Sequence, residues 1–131
     1  MGARRFLDLV GTMEKKELVA MISVDSVGQG EVFALRTQET GLQRLKTKME
    51  TYCREHNIPV TLLKSDIDSD NIPFEDSRVP AVWVEWCDPG GGLSTDNLYT
   101  SLNAAKVEVA GVTIEGFLES LSSGDLEELK Y

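Results

Sequence analysis

A proline opens the strongest strand signal in the chain, and this segment limits the possible folds more than any other. The segment reads Arg78-Val79-Pro80-Ala81-Val82-Trp83-Val84-Glu85-Trp86. Proline has no backbone N–H to donate, so within a sheet it is tolerated as the first residue of a strand. The segment therefore predicts a buried strand that begins at Pro80. Side chains alternate along a strand, so Trp83 and Trp86 are expected to point to opposite faces.

Length and charge exclude several classes of protein. The chain has 131 residues, which suits one domain, with a net charge of -9 and a pI of about 4.5. Such an acidic chain lacks the basic face that nucleic acids or anionic membranes require, and no apolar run is long enough to cross a bilayer. A protein partner and a cytoplasmic location are expected. The two cysteines, Cys53 and Cys87, do not make a disulfide framework.

The first half of the chain predicts a helix followed by a β-α-β unit. Apolar residues at helical spacing predict a short helix over 3–15. Residues 18–24 form a nearly continuous apolar run that suits a central strand buried on both faces. Residues 25–41 are ambiguous between helix and strand, and we favour a helix. A clear amphipathic helix over 42–56 and a strand over 60–63 follow, so a right-handed crossover would make the two strands parallel.

The second half predicts a strand pair closed by a helix. An acidic loop over 65–77 precedes the strand that begins at Pro80, and residues 105–109 alternate as an exposed or edge strand. Thr113 can cap a final helix, which Gly124 stops. The residues expected in the core are Val19, Ile22, Val24, Leu62, Val82 and Val84.

Two local features resemble the thioredoxin-like superfamily. One is Val79-Pro80 at the start of the third core strand, and the other is the segment 111–118 at the entry to the last helix. The amino-terminal helix, the absence of a redox dithiol and the segment 124–127 make the chain most similar to the phosducin-like branch. The resemblance covers about residues 4–122.

This resemblance implies a fold and a special peptide bond. The expected fold is α/β and thioredoxin-like, with a central mixed four-stranded sheet flanked by helices, in a single domain over residues 1–131. Its core would span about 4–122, and a short acidic tail would occupy 123–131. In such folds the bond before the strand proline is cis, so Val79 and Pro80 are cis-proline candidates. A trans proline that starts a strand is the alternative.

The residues that would carry redox chemistry are missing. Residues 25–28, where the resemblance implies a dithiol, contain no cysteine. Cys53 lies near the carboxyl end of its helix, and Cys87 has no flanking cation to stabilise a thiolate. We therefore predict that the chain is not an enzyme and needs no cofactor, and that it acts as a non-catalytic adaptor, co-chaperone or subunit of a larger assembly. The alternative is a thiol-dependent redox factor that uses Cys53 or Cys87.

The acidic loop begins like a calcium site and then departs from one. Asp66, Asp68 and Asp70 are the alternate carboxylates that open an EF-hand loop, but Ser77 replaces its final bidentate glutamate. His56 is the only histidine, which disfavours a zinc site. No metal is predicted.

Two segments that depart from a minimal thioredoxin-like fold are predicted to bind the protein partner, because recognition tends to lie in loops on a rigid scaffold. In 88–104 the apolar anchors are Leu93, Leu98, Tyr99 and Leu102. In 65–77 the acidic residues that would steer approach include Asp66, Asp68 and Asp70. The alternative for the apolar anchors is that they fold back onto the domain's own core.

Overall fold

Five helices and four strands build the described part of the chain. The computed structural model describes residues 2–11, 14, 16–38, 44–65, 68–92 and 102–130. In chain order the elements are α1 (Gly2–Leu9), β1 (Met21–Val24), β2 (Val32–Thr37), α2 (Arg44–Glu55), β3 (Thr61–Lys64), α3 (Asn71–Asp76), β4 (Ala81–Cys87), α4 (Ala104–Ser120) and α5 (Ser123–Leu129). No helix within the described residues is both long enough and apolar enough to span a bilayer.

The strands form one mixed sheet in the order β1-β4-β2-β3. The pairs β1–β4 and β2–β3 are parallel, whereas β2 and β4 are antiparallel. The predicted α/β class, with a mixed four-stranded sheet flanked by helices, is confirmed. The strand that the proline predicted is also confirmed as β4, and it lies between β1 and β2.

Alternation along β4 gives the sheet two different faces. Val82 and Val84 point to the first, here called the apolar face, and both are fully buried. Phe33 and Leu35 of β2 lie on this face as well. Helices α2, α4 and α5 cover it with the buried side chains Leu45, Met49, Ala110, Phe117 and Leu129. This main core therefore joins elements from both halves of the sequence.

The opposite face, here called the polar face, carries Trp83, Glu85 and Cys87 of β4. At its end near Ala81, α1 and α3 cover the sheet through a small cluster of Leu7, Phe74, Val79 and Ala81. The rings of Phe6 and Phe74 stack with centroids 6.0 Å apart, which ties α1 to α3.

Two predictions for the first half of the chain are wrong. Residues 25–41 contain the strand β2 rather than a helix, because Phe33, Ala34 and Leu35 are buried where β2 pairs on both sides. The run over 18–24 contains an edge strand rather than a central one, since β4 is the one strand that pairs with β1 among the described residues. An apolar run indicates burial but not position in the sheet.

The carboxyl-terminal third also differs from the prediction. Residues 105–109 belong to helix α4, which the Asn103 side chain caps by accepting a hydrogen bond from the Ala105 N–H at 2.9 Å. The Trp86 indole N–H donates to the Lys106 carbonyl at 2.9 Å and holds this end of α4 on the sheet. The predicted acidic tail forms helix α5 with Leu129 buried, and Gly124 lies inside α5 instead of ending α4.

The expected core residues divide into three groups. Val82 and Val84 are fully buried, as predicted. Val19 and Ile22 are partly buried and pack against the main core. Val24 and Leu62 are exposed, so their assignment to the core is wrong. Both belong to edge strands, where one end or side of the strand faces solvent.

Candidate functional site

A buried ion pair dominates the polar face of the sheet. The Arg36 Nε donates to Glu85 Oε1, and the two side chains are 8% and 0% exposed. Arg36 also donates to the Lys64 carbonyl at 2.9 Å and to the Gly91 carbonyl. Its guanidinium lies 5.2 Å from the centre of the Trp83 ring, a cation–π distance. One arginine therefore connects three strands and the turn that follows β4.

A second polar group lies where β2 and β3 end. The Gln38 backbone N–H donates to Glu75 Oε2 at 2.9 Å, and Asn71 Nδ2 donates to Ser65 Oγ at 2.8 Å. Asn71 and Glu75 are one helical turn apart on α3, and both are buried. Asn71 Oδ1 and Glu75 Oε1 accept no hydrogen bond from a described residue. Burial is the main cause that raises the pKa of the Glu75 carboxyl.

The two polar groups together make a candidate site that the sequence analysis missed. Arg36 and Gln38 are two residues apart at the end of β2, so the groups are adjacent in the structure. A signal was available, because Arg36 and Glu85 are charged residues inside apolar strand runs. Charged residues are almost never fully buried unless they are paired.

Neither cysteine is placed for thiol chemistry. Cys53 and Cys87 are both fully buried and both free. Burial is the main cause that raises the pKa of each thiol above its ordinary value. Gly30 packs against the Cys87 backbone with φ of 116°, and a Cβ at Gly30 would lie 2.6 Å from the Cys87 nitrogen. A reagent would have to open the fold to reach either sulfur.

The cis-proline prediction is wrong. The described residues contain no cis peptide bond, so the bond between Val79 and Pro80 is trans. Val79 is buried in the small cluster with Phe74. Arg78 just before it adopts a left-handed φ of 64°, which makes the turn from α3 into β4. Proline here starts a strand, the alternative that the sequence left open.

The predicted partner-binding residues are only partly described. Leu93, Leu98, Tyr99 and Asp66 lie outside the described residues. Leu102 is exposed beside Gly28, whose Cβ would lie 3.1 Å from its side chain. Asp68 and Asp70 are exposed next to the amino end of α3, and Asp70 makes no side-chain capping hydrogen bond. Binding of a partner through these residues stays a prediction.

The described residues do not bring together a set of metal ligands. Among residues 2–11, 14, 16–38, 44–65, 68–92 and 102–130, no three His, Cys, Asp or Glu side chains are grouped to hold an ion. His56 lies at the end of α2, where its ring stacks on Tyr52 and its Nδ1 is 2.9 Å from the Tyr52 carbonyl oxygen.

Comparison with known proteins finds similarity in structure alone. No protein-family model matches the sequence, and no curated protein matches it. Two structures of BSAP, a zinc aminopeptidase from Bacillus subtilis, have TM-scores of 0.75 and 0.74 at 14% and 15% identity. They cover 95% and 89% of this chain and 34% and 31% of their own chains. An aminopeptidase from Aneurinibacillus sp. strain AM-1 has a TM-score of 0.67 at 15% identity, covering 86% of this chain and 27% of that one.

These similarities correct the assignment to a family. The fold is that of part of the aminopeptidases, so the resemblance to thioredoxin-like and phosducin-like proteins is wrong. The predictions of a non-catalytic adaptor and of a chain that is not an enzyme are contradicted as well, because the reported structures that share this fold are aminopeptidases. The redox alternative is not supported either, since both thiols are buried and the structural neighbours are aminopeptidases. The chain spans about a third of the aminopeptidase chains that it matches.

Proposed function

We propose that this chain forms part of an aminopeptidase-type hydrolase, an enzyme that releases the amino-terminal residue of a peptide. The observation that supports the proposal is the extent of the shared fold, which covers 95% of this chain with a TM-score of 0.75. Because only 34% of the BSAP chain is matched, the activity is proposed for the protein or assembly in which this chain takes part.

Zinc is the metal named for BSAP, and the described residues do not fit a zinc site by themselves. Zinc sites are built from Cys, His, Asp or Glu ligands in tetrahedral arrangement. Here Cys53 and Cys87 are buried in separate places, and His56 is stacked on Tyr52. We therefore assign no catalytic step to zinc within these residues.

In this proposal the described residues supply a rigid scaffold for loops. The Arg36–Glu85 pair fixes the turn after β4 through the Gly91 carbonyl, and the Gly91 N–H donates a hydrogen bond of 2.8 Å to the Asp88 carbonyl within that turn. Functional residues tend to lie on loops that a rigid scaffold positions. The segment 88–104, which the sequence analysis proposed for partner binding, begins at this turn.

The test measures peptide hydrolysis by the protein in its natural context. The chain would be tagged in the cells that encode it, purified with its bound proteins, and assayed with leucine 4-nitroanilide. We expect release of nitroaniline that a zinc chelator abolishes and added zinc restores.

The matched control is the same substrate with its amino group acetylated. An aminopeptidase requires the free amino terminus, so the acetylated substrate should release nothing. No release from either substrate, or equal release from both, contradicts the proposal.

A further inference from the structure

Helix α4 exposes apolar as well as acidic side chains on the side that faces away from the sheet. Ala110 and Phe117 face inward and are buried. Val112 and Leu118 face outward, with 59% and 52% of their surfaces exposed. The outer side of α4 thus presents apolar side chains among exposed glutamates, and exposed apolar side chains that border a pocket are typical of contact surfaces.

An open apolar pocket of about 330 Å³ lies beside this outer side. The pocket is lined by aliphatic side chains and one phenylalanine, contributed by α2, α4, α5, the connection between α4 and α5, and β1 with the segment that leads into it. Leu118 and Leu126 line it and are also 52% and 39% exposed, so they connect the pocket to the surface. Since no polar side chain lines the pocket, a small polar ligand would find no side-chain hydrogen bond there. The natural occupant is an apolar side chain.

The surroundings of the pocket are acidic. Residues 104–130 contain six acidic and two basic residues, but Lys48 of α2 pairs with Asp125 and Glu128, and Lys130 pairs with Glu127. The acidic charge that is not balanced in this way lies on α4. Glu115 and Glu119 are exposed on either side of Leu118 in sequence and form no ion pair with a described residue. A second copy of this chain would bring the same negative charge to the contact, and like charges disfavour that pairing. A basic partner is favoured by charge complementarity.

We propose that Leu118, Leu126 and the adjoining pocket, here called the leucine surface, bind a basic, apolar segment of another polypeptide. One apolar side chain of that segment enters the pocket, and its Lys or Arg residues lie near Glu115 and Glu119. Burial of apolar area supplies most of the affinity, and the charges select the partner. The proposal rests on this surface alone and does not depend on the aminopeptidase function.

The first experiment compares two labelled peptides by fluorescence anisotropy with the whole chain. Both carry the same Leu and Phe anchors, and the residues around the anchors are Lys in one peptide and Glu in the other. We expect the basic peptide to bind at least about tenfold more tightly than the acidic one, and its binding to weaken as salt is added.

Variants of the leucine surface locate the binding. The double change Leu118→Ser and Leu126→Ser should weaken binding of the basic peptide by about tenfold or more, because both side chains are exposed and their loss removes anchors without emptying the core. Leu9→Ser is the matched control, since Leu9 is 70% exposed on α1, which packs on the polar face. This control should bind the peptide unchanged.

A charge reversal at exposed positions tests the choice of partner without removing any apolar side chain from the fold. Glu115→Lys combined with Glu119→Lys alters only exposed positions and should shift the preference toward the acidic peptide. Equal binding of the two peptides, no binding of either, or binding that the leucine changes leave intact overturns the proposal. A dimer in sedimentation that the leucine changes dissociate also overturns it, because the occupant is then a second copy.

Discussion

The two faces of the sheet hold the protein together by different physical means. On the apolar face, Val82, Val84 and Leu35 pack under three helices, and burial of apolar surface stabilises the contact. On the polar face, Arg36 and Glu85 form a pair with almost no exposed surface. Apolar packing tolerates changes of partner, whereas a buried charge depends on one specific neighbour. The same strand, β4, thus carries two kinds of stability on alternate residues.

The largest expected effect comes from removing one member of the buried pair. Glu85→Leu leaves the Arg36 guanidinium buried without its carboxylate, so the free energy of unfolding should fall by about 3–5 kcal/mol. Adding Arg36→Met should recover most of that loss, since two apolar residues no longer bury a charge. Urea unfolding of both variants measures the difference. If the double variant is no more stable than Glu85→Leu, the polar face does not depend on one specific pair of charges.

A smaller effect is expected from the apolar face. Leu129→Ala removes a fully buried side chain of α5 and should cost about 2–3 kcal/mol in unfolding free energy, because the cavity it leaves closes only partly. Leu126→Ala in the same helix is the control, since its side chain is 39% exposed, and it should cost less than about 0.5 kcal/mol. Equal effects of the two changes would mean that α5 is a loosely attached tail.

The smallest effect concerns pH and the polar group of α3. Burial raises the pKa of Glu75 above the ordinary 4.5, so the folded state holds that proton more tightly than the unfolded state does. Binding of this proton adds to the free energy of unfolding below pH 4.5. This contribution is lost as the pH rises through the raised pKa of Glu75. Glu75→Gln has no charge to bury, so it should remove this part of the pH dependence. Urea unfolding at about pH 5 and about pH 7 measures it.

Glu31→Gln is the matched control for that change, because Glu31 is exposed. Its difference in stability between the two pH values should equal that of the unchanged protein. If Glu75→Gln behaves like this control, the Glu75 carboxyl does not contribute to the pH dependence.

Where sequence reasoning succeeded, the information was local. Pro80 placed the start of β4, because a missing N–H restricts proline to the end of a strand. Helical spacing of apolar residues located α2, which the structure bounds at Arg44–Glu55. The single-domain organisation of the chain and the binding of a partner by segments 65–77 and 88–104 remain predictions.

Sequence reasoning failed where one local pattern is compatible with two conformations. The alternation over 105–109 suits an edge strand, yet Trp86 and the Asn103 cap hold these residues in a helix. The family assignment failed for the same reason, since a Val-Pro strand start occurs in unrelated folds. At 14% identity, only the complete fold connects this chain to the aminopeptidases.

The sequence by itself determined the α/β class, the acidic character and the strand that follows Pro80. These follow from periodicity, composition and the chemistry of single residues. Tertiary structure alone decided that β2 is a strand, that Arg36 meets Glu85 across two strands, and that Glu75 is buried against Gln38. Each of these joins residues at least 27 positions apart. Such contacts depend on the register of the strands, which no local pattern specifies.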